Sequence, residues 1–456
     1  MKKTLITALT LVLPLLAFSS HLRCGYISVQ RVSSTNLTCK ITVTAFTSSS
    51  SGIAFGGGTL VLGNESFITI PAEIPATPRP DLGPNIGMAS YSIEHTYTGP
   101  GRYKVSYTEQ SRNGGIINLT NSLTTPFYIE TTFNLDPFLG VFDTPEFLVD
   151  PFFTAKLGNN LSLSVGAFSP EDHIITYELG VPNGGQILSN YRLPENFQIN
   201  PHNGLIIWDT RFLNQYIAGE YLFTVKIHLS KKIDGNLYRL CTVNRDFQII
   251  LTDDEPDGRI FTNITLDENN RIYIPENETR TIKIFYEPNL ADNTTLMAYT
   301  ELSNQSDAFS FSTYDSTQAD IKVGVLTLTA KSEVIRNNPY IITVRGNYLN
   351  DGSSLFAHDI CFMFYTLDVF PEIITSTEDE LSQLETSPNP VTDFLNIRFA
   401  SPQPVRIILI NPSGQVILKK ELSESDRIDM RGLSRGIYFC EIRTGSLRRV
   451  VRIVKH

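Results

Sequence analysis

The sequence HTYTGPGRYKVSY, from His95 to Tyr107, shows the pattern that governs most of this chain, two alternating runs around a Gly-Pro-Gly turn. Alternation of apolar and polar residues with a period of two indicates a β-strand with one buried face. Tyr103, Val105 and Tyr107 fall on one face of the second run, so we expect them to point into a core. The segment predicts a strand, a tight turn and a second strand that together form a hairpin.

The composition extends the β prediction to the whole chain of 456 residues. Hydrophobic residues make up 41%, enough to fill cores, and the chain has 27 Phe, 19 Tyr, 25 Pro and 29 Gly. Aromatic residues favour strands, whereas Pro and Gly favour turns. This composition excludes a disordered acidic tail, and the net charge of −10 excludes a chain that is basic throughout and binds nucleic acid.

Charge and linker composition divide the chain into segments. Residues 385–456 carry 12 basic and 7 acidic residues, a net charge of +5, whereas residues 21–384 carry 23 basic and 40 acidic residues, a net charge of −17. The break follows a stretch at 371–386 that is rich in Pro, Ser, Thr, Glu and Asp, as linkers are. We predict β domains at 21–135, 136–253 and 254–370, a linker at 371–386, and a small C-terminal domain at 387–456.

Residues 1–20 have the composition of a signal peptide. Lys2 and Lys3 precede an apolar run at 5–18, and small residues at 17 and 19 suit cleavage. The run is shorter than the roughly 18 residues that a membrane-spanning helix needs. The sequence therefore predicts an exported chain with no transmembrane segment in its mature form.

The five cysteines and the motif content bear on redox state and catalysis. Export permits disulfides, and Cys24 and Cys39 flank one predicted strand pair, so a bridge between them is one alternative and buried thiols are the other.

The chain has no HExxH motif and no phosphate-binding loop, and the G-x-S-x-G match at 432–436 lacks the helix that a nucleophile elbow needs. We predict no catalytic residues and no enzymatic activity.

Two segments of the body resemble known domains. The segment quoted above resembles the closing hairpin of PKD-like Ig-type domains, which carry H-x-Y-x-x-P-G-x-Y-x-V. Residues 197–225 are similar to the Ig-like and cadherin-like repeats of bacterial surface proteins, with a strand, an Asn/Gly turn, a strand bearing Trp208, and a Gly-x-Tyr strand at 219–221. We interpret Trp208 as core packing, with a sugar-binding platform as the alternative. Together with TPFYIET at 125–131 and DPF at 136–138, the N-terminal half resembles gliding-motility-associated surface proteins.

These resemblances imply an all-β fold, tandem Ig-like β-sandwich domains followed by a small C-terminal β-sandwich, and they raise the question of calcium. Cadherin-like repeats often carry an acidic D-x-D-G-D calcium element, but the matching place reads SPEDH at 169–173. A second acidic cluster joins the second and third domains, with hard oxygen ligands of the kind that calcium prefers. Its residues are Asp253, Asp254, Glu255 and Asp257. The alternative is a solvated acidic linker, and the sequence predicts no other cofactor.

The last 70 residues carry several motifs in a fixed order. A Pro-Asn-Pro segment, a turn containing glycine, an L-x-x-G-I-Y element and a final basic strand follow one another. In this order they resemble the type A C-terminal sorting domain of the type IX (Por) secretion system of Bacteroidota. The resemblance implies transport through the periplasm and the outer membrane, with the secretion machinery as partner. The matching residues are Pro388, Asn389, Pro390, Gly414, Leu433, Gly436, Ile437, Tyr438 and Lys455.

The sequence therefore predicts a secreted or cell-surface, non-enzymatic protein with an adhesive or structural role. Surface glycans or other surface proteins are the partners that such a role implies, and nucleic acid is not. The alternative is a carbohydrate-binding protein or a glycan-degrading enzyme at the cell surface. Exposed aromatic side chains on a sheet, or two carboxylates about 5–10 Å apart in a cleft, would favour that alternative.

Overall fold

A computed structural model of the chain describes residues 22–456 apart from several short segments and most of the predicted linker. The segments not described are 34–35, 50–53, 84, 111, 137, 183–187, 212–214, 234–235, 254–257, 268, 289–293, 318–320, 351–352, 368–384, 399–404, 411–415, 424 and 445–446. The predicted signal peptide thus lies outside the described residues. The chain divides into two compact units, which we call the body, within 1–371, and the C-terminal module, within 372–456.

Regular structure in the described residues is almost entirely β-strand, which confirms the predicted all-β class. Short 3-10 helices occur at Pro80–Leu82, Ser122–Thr124, Glu301–Asn304 and Ser332–Val334. In the part of the chain that the structure covers, no helix is long and apolar enough to cross a membrane.

The first strands of the body surround a core that contains Val105 and Tyr107, with Tyr103 packed against it, as the alternation predicted. They are β1 (Leu22–Arg31), β2 (Thr38–Ser48), β3 (Thr59–Val61), β4 (Phe67–Thr69), β5 (Thr77–Pro78), β6 (Ile86–Thr96), β7 (Gly101–Glu109) and β8 (Phe127–Leu135). The predicted hairpin is wrong, because β6 pairs with β2 and β5 whereas β7 pairs with β3 and β8. Both edges of each strand are already used, so the Gly-Pro-Gly turn connects two strands that do not pair with each other.

The next strands build a second sandwich that is fused to the first. They are β9 (Glu146–Phe147), β10 (Phe152–Lys156), β11 (Asn160–Ser164), β12 (Ala167–Phe168), β13 (Ile174–Gly180), β14 (Phe197–Ile199), β15 (Leu205–Asp209), β16 (Gly219–Ile233) and β17 (Asn236–Thr252). β16 and β17 pair with each other, and both are long, at 15 and 17 residues. Each strand contributes to both cores, with Leu229 and Leu240 in the first core and Phe223 and Phe247 in the second.

The pairing of β17 shows how the two sandwiches are joined. β17 pairs with β8 through Cys241–Val243 and with β1 at Asp246, and it then runs parallel to β10 from Gln248 to Thr252. One sheet therefore continues across the predicted boundary between residues 135 and 136. The boundary stays a prediction, but the two flanking regions share two strands.

The third part of the body is a sandwich of two four-stranded sheets around one core. Its strands are β18 (Gly258–Thr262), β19 (Arg271–Tyr273), β20 (Thr279–Pro288), β21 (Thr294–Tyr299), β22 (Phe309–Asp315), β23 (Lys322–Thr329), β24 (Tyr340–Asn350) and β25 (Ser353–Tyr365). The sheet orders are β18-β20-β23-β22 and β19-β25-β24-β21.

The C-terminal module has its own core between a three-stranded and a four-stranded sheet. Its strands are β26 (Glu385–Ser387), β27 (Phe394–Arg398), β28 (Val405–Ile410), β29 (Val416–Leu422), β30 (Asp426–Asp429), β31 (Gly436–Thr444) and β32 (Leu447–Lys455). The orders are β26-β27-β30 and β29-β28-β31-β32, so β32 lies at an edge.

All five cysteines are free, buried thiols, so the Cys24–Cys39 disulfide that we considered is wrong. β1 and β2 are antiparallel, with Cys24 opposite Phe46 and Cys39 opposite Arg31. The two cysteines are thus seven ladder positions apart, about 23 Å at about 3.3 Å per residue. A disulfide needs Cα atoms within roughly 7 Å. Burial raises the pKa of the Cys39 thiol to about 11, so this thiol stays protonated at neutral pH.

Candidate functional site

Residues that are far apart in the sequence of the C-terminal module meet at the end of its last strand, β32. The N–H of Val454 donates to Oδ1 of Asn389 at 2.9 Å. The N–H of Val391 donates to the carbonyl of Val454 at 2.8 Å, and the N–H of His456 donates to the carbonyl of Val391 at 2.9 Å. The Pro-Asn-Pro segment and the residue after it are therefore bonded to the end of β32.

Lys455 lies between the Pro-Asn-Pro region and the start of β31. It is opposite Gly436 in the antiparallel β31–β32 pair, and on its other side it forms a parallel bridge with Val391. Lys455 is 9% exposed, and its ammonium donates to the main-chain oxygen of His456. Lys455 therefore does not project its charge into solvent.

The structure brings together only part of the predicted sorting motif. Asn389, Gly436 and Lys455 converge, whereas Leu433 lies in the turn before β31 and donates its N–H to the carbonyl of Met430 at 3.1 Å. Ile437 lies within β31. Gly414 lies outside the described residues. The peptide bonds before Pro388 and Pro390 are both cis, and both prolines are exposed.

A Gly-x-Tyr element recurs in the body and the C-terminal module. Strands β7, β16 and β31 each begin at a glycine, and a tyrosine follows two residues later. In each case the tyrosine hydroxyl donates to the carbonyl four residues earlier, which closes the turn that leads into the strand, as a tyrosine corner does in Ig domains. The three pairs are Tyr103–Gly99 at 2.6 Å, Tyr221–Ile217 at 3.0 Å and Tyr438–Ser434 at 3.0 Å.

The glycines of this element have a backbone role. Gly219 and Gly436 adopt φ angles of +147° and +152°, which L residues with a side chain rarely adopt. Because the same element occurs twice in the body, Gly436 and Tyr438 are explained by the fold and do not by themselves distinguish the sorting motif. The three Gly-x-Tyr triplets were visible in the sequence, but their common role required the hydrogen bonds.

Asp172, in the SPEDH segment at 169–173, joins the second sandwich to the third. Its Oδ2 accepts the backbone and side-chain N–H groups of Asn337 at 3.1 and 2.8 Å, and its Oδ1 accepts those of Asn338 at 2.8 Å each. Partial burial raises the pKa of Asp172, but the hydrogen bonds from Asn338 and Asn337 outweigh it and hold the pKa below its ordinary value. Four donors occupy the roughly four lone-pair sites of this carboxylate, so Asp172 bonds the third sandwich directly.

Replacing Asp172 by alanine is expected to lower the free energy of unfolding by about 1–2 kcal/mol, because charge-assisted hydrogen bonds are lost from a carboxylate that solvent partly screens. The pKa of Asp172 is lowered on folding, so its contribution is fully present above the ordinary Asp pKa of about 3.9 and is lost as the pH falls through the folded value. Denaturant unfolding from pH 7 to pH 3 should show a constant difference between the two proteins that shrinks only below about pH 4.

Adding or removing calcium is the control for the hydrogen bonds between Asp172 and the third sandwich. The stability difference between wild type and Asp172→Ala should be the same in EDTA and in millimolar calcium. A calcium-induced rise in melting temperature that is seen in the wild type but lost in Asp172→Ala would contradict the direct joint.

The acidic cluster proposed for calcium falls mostly outside the described residues. Asp253 lies in a bend after β17, whereas Asp254, Glu255 and Asp257 are not described. Among the residues that are described, no group of three or more His, Cys, Asp or Glu side chains is placed to hold a metal ion. Calcium binding at 253–257 therefore stays a prediction.

A buried ion pair makes a further connection between the second and third sandwiches. Arg345 Nε and Nη2 donate to Oδ1 and Oδ2 of Asp359 at 2.7 and 2.8 Å, and Asp359 is 1% exposed. The backbone N–H of Ser164, on β11, donates to Oδ2 of the same carboxylate at 2.7 Å. The Ser162 hydroxyl donates to the Asp359 carbonyl at 2.6 Å. One aspartate thus bonds an arginine of its own sheet and a strand of the neighbouring sandwich.

A second buried ion pair lies where the first two sandwiches are fused. Arg112 donates to Asp246 on β17 at 2.6 Å, and the Thr224 hydroxyl on β16 donates to the other oxygen of Asp246 at 2.6 Å. The guanidinium of Arg112 also lies over the Phe127 ring, at 5.0 Å from its centroid. Burial raises the pKa of Asp246, whereas Arg112 and Thr224 favour its charged form. Nothing in the sequence spacing linked these residues.

The body is an all-β structure built from β-sandwiches, and the C-terminal module is a small β-sandwich in which the end of β32 is bonded to the segment before β27. Residues 387–456 match the family described as "Secretion system C-terminal sorting domain". The chain therefore carries a sorting domain of the type IX secretion system, as its motifs predicted. That domain implies handling by the type IX machinery and export to the cell surface or the extracellular space.

The other two comparisons add no information about function. No curated protein matches the chain. Among solved structures, the chain is similar to the N-terminal eight Ig domains of Down Syndrome Cell Adhesion Molecule, isoform 1.30.30, with 12% identity and a TM-score of 0.19. That match covers 95% of this chain and 49% of the other, so the chain spans about half of that structure's length.

Proposed function

We propose that the protein is a non-enzymatic adhesive or structural component of the cell surface, delivered by its C-terminal sorting domain. The observation that carries this proposal is the way the body is joined: the first two sandwiches share β16 and β17, and the buried Asp359 ties the second to the third. A body joined through shared strands and a buried ion pair holds its parts in fixed relation. Such rigidity suits a protein that bears load or presents a surface, and its partners would be surface glycans or other surface proteins.

The ionisable groups in unusual surroundings support a structural role. Burial raises the pKa of Glu109 to about 7, and its carboxyl accepts hydrogen bonds from the Tyr107 hydroxyl and the Gly56 N–H. Asp246 and Asp359 are likewise engaged by arginines and by groups on neighbouring strands. Carboxyl groups with perturbed pKa values indicate catalysis when they face a cleft together. Here the Glu109 carboxyl bonds its own strand and the Gly56 loop, whereas Asp246 and Asp359 bond groups on neighbouring strands.

The glycan-binding or glycan-degrading alternative loses its clearest candidate residue. Trp208 is 0% exposed and packs among aromatic rings of the second core, so its indole is not presented to a sugar. A glycan-binding face would have to use other residues, and surface glycans remain in this proposal as partners of an adhesive protein.

Deletion of residues 385–456 tests the delivery and the role together. We expect the truncated chain to accumulate in the periplasm, because the sorting domain is removed while the core of the body is left intact. Cells that express it should attach to surfaces and to each other no better than cells that lack the protein. Surface immunolabelling, fractionation and an attachment assay give the three measurements.

The full-length chain expressed at the same level is the control for this deletion. Surface labelling of the truncated protein would refute delivery by the sorting domain. Normal attachment by cells whose surface lacks the body would instead refute the adhesive role, so the two parts of the proposal fail separately.

A further inference from the structure

Strand β22 is an open edge of the third sandwich, and we propose that it pairs with β22 of a second copy of this chain. The two strands run antiparallel about a two-fold axis, so that two four-stranded sheets continue into each other. The proposal rests on the adhesive or structural role given above, and it names the partner of the body as another copy of the same protein.

β22 lies at the edge of its sheet. It stands last in the order β18-β20-β23-β22, and within the residues that the structure describes no strand pairs with its other side. Five of its seven residues are exposed, so solvent reaches the strand. The backbone groups on that side are therefore available to another strand.

The register of β22 with β23 shows which backbone groups face the open side. At the two ends of the pair, the N–H of Thr329 donates to the carbonyl of Ala308 and the N–H of Ser316 donates to the carbonyl of Ile321, each at 2.9 Å. Bonded and unbonded positions alternate along an antiparallel pair, so the even-numbered residues of β22 bond β23. The N–H and C=O groups at positions 311 and 313 therefore point to the open side.

β22 lacks the features that commonly protect an edge strand, which are charges, prolines and bulges. No charged residue or proline occurs from Phe309 to Tyr314, and the register with β23 is continuous. Asp315, at the end of the strand, is bonded to Lys322 at 2.8 Å. The opposite edge strand, β18, carries Arg259, whose side chain is 73% exposed. The charge pattern thus leaves β22 as the edge of this sheet that another strand can approach.

β22 has the length and the symmetry to pair with itself. A two-fold axis at Ser312, the central residue of the strand, aligns two copies over their whole length. Phe311 of one copy then exchanges backbone hydrogen bonds with Thr313 of the second copy, and the reverse pair forms on the other side of the axis. Asp315 lies opposite Phe309 of the second copy, so like charges do not meet.

Charge favours a second copy of β22 over a charged segment as the occupant. Residues 21–384 carry a net charge of −17, so two copies repel each other over most of their surfaces. The uncharged run of β22 is a place where two copies meet without that repulsion. A charged segment of another protein would find no counter-charge along the same run.

Cysteine cross-linking of the purified full-length chain tests the pairing and its register. In this register Ser312 stands opposite Ser312 of the second copy in a non-hydrogen-bonded pair, with Cα atoms about 4.5 Å apart. Ser310 is the matched control, because the two Ser310 residues lie about 13 Å apart along the pair, beyond the roughly 7 Å that a disulfide spans. All five native cysteines are buried, so they do not compete. Under mild oxidation we expect at least about tenfold more linked dimer from Ser312→Cys than from Ser310→Cys.

Thr313→Pro tests the backbone bonds, with dimerisation measured by sedimentation. Proline removes the outward N–H of residue 313 but none of the bonds between β22 and β23, and prolines are tolerated at such edge positions. Each dimer loses two hydrogen bonds, so we expect its dissociation constant to rise about tenfold or more. Thr313→Val keeps the N–H and the branched shape and should dimerise like the wild type. The melting temperature of each variant is measured alongside.

Surface labelling and cell-to-cell attachment are then measured for cells that express the position 313 variants. Thr313→Pro should reach the surface at the wild-type level but attach cells to each other less well than Thr313→Val. A monomeric wild-type chain, equal cross-linking through Ser310→Cys, or unchanged dimerisation of Thr313→Pro would each overturn the inference. A monomeric chain whose Thr313→Pro variant still loses attachment would show that β22 takes a strand of another surface protein instead. Delivery is tested by the deletion of residues 385–456, so the two proposals fail on different measurements.

Discussion

Replacing Asp359 by alanine is expected to lower the free energy of unfolding of the body by about 3–5 kcal/mol, because it leaves the buried Arg345 without its counter-charge. The Arg345 side chain is 9% exposed and both of its bonds to Asp359 would be lost. The variant also removes the acceptor of the Ser164 N–H, so β11 loses a bond to the third sandwich. Denaturant unfolding, with the slope compared between variants, measures the loss.

An exposed ion pair in the same sandwich provides the matched control. Asp315 bonds Lys322 at 2.8 Å, but the Asp315 side chain is 81% exposed. Asp315→Ala should therefore cost no more than about 1 kcal/mol, as surface ion pairs do. If Asp359→Ala lowers the free energy of unfolding no more than Asp315→Ala does, the buried Asp359–Arg345 pair does not stabilise the body. The proposal that the body is rigid would then lose its support.

Replacing Trp208 by alanine is expected to cost about 3–5 kcal/mol, because it opens a large cavity in the second core. The indole contacts the rings of Phe197, Tyr216, Tyr221 and Phe223, with centroids 5.0–5.6 Å apart. Trp208 is the single tryptophan of the chain, so its fluorescence reports directly on this core during unfolding. For variants that keep the indole, the fluorescence transition measures the loss in free energy of unfolding. For Trp208→Ala, circular dichroism measures the same loss.

Trp208→Phe separates packing from a sugar-binding role. Trp208 Nε1 is buried with no hydrogen-bond partner among the residues that the structure describes, so a phenylalanine removes a polar group that has nothing to bond and retains much of the ring. We expect it to cost clearly less than Trp208→Ala. A Trp208→Ala protein that keeps its stability but loses binding to a polysaccharide would instead support the sugar platform.

The strands could be predicted from the sequence because their signal is local. β8 spans Phe127–Leu135, and its alternate residues are buried, the period of two that a sequence pattern can show. The Gly-x-Tyr triplets mark the start of three strands for a similar reason: the turn, the backbone angle of the glycine and the tyrosine bond all lie within five residues. Such short-range geometry requires no knowledge of the rest of the chain.

Pairing was predicted less well, because it depends on residues that are distant in sequence. The segment from His95 to Tyr107 contains two strands, but each one pairs with other strands. The Cys24–Cys39 disulfide is not formed, because the register of β1 and β2 places the two cysteines at opposite ends of the ladder. Turn composition and cysteine spacing do not encode which edges are already used or how two strands align.

The sequence by itself determined the all-β class and the C-terminal sorting domain, because periodicity, turn residues and ordered motifs are all local properties of the chain. Only the tertiary structure decided that two sandwiches share β16 and β17, and that Asp172 bonds Asn337 and Asn338. It also decided that Asn389 and Val391 bond the last residues of β32. These contacts join groups dozens to hundreds of residues apart, and they form because folding must satisfy buried polar groups and edge strands with whatever partner the packing brings near.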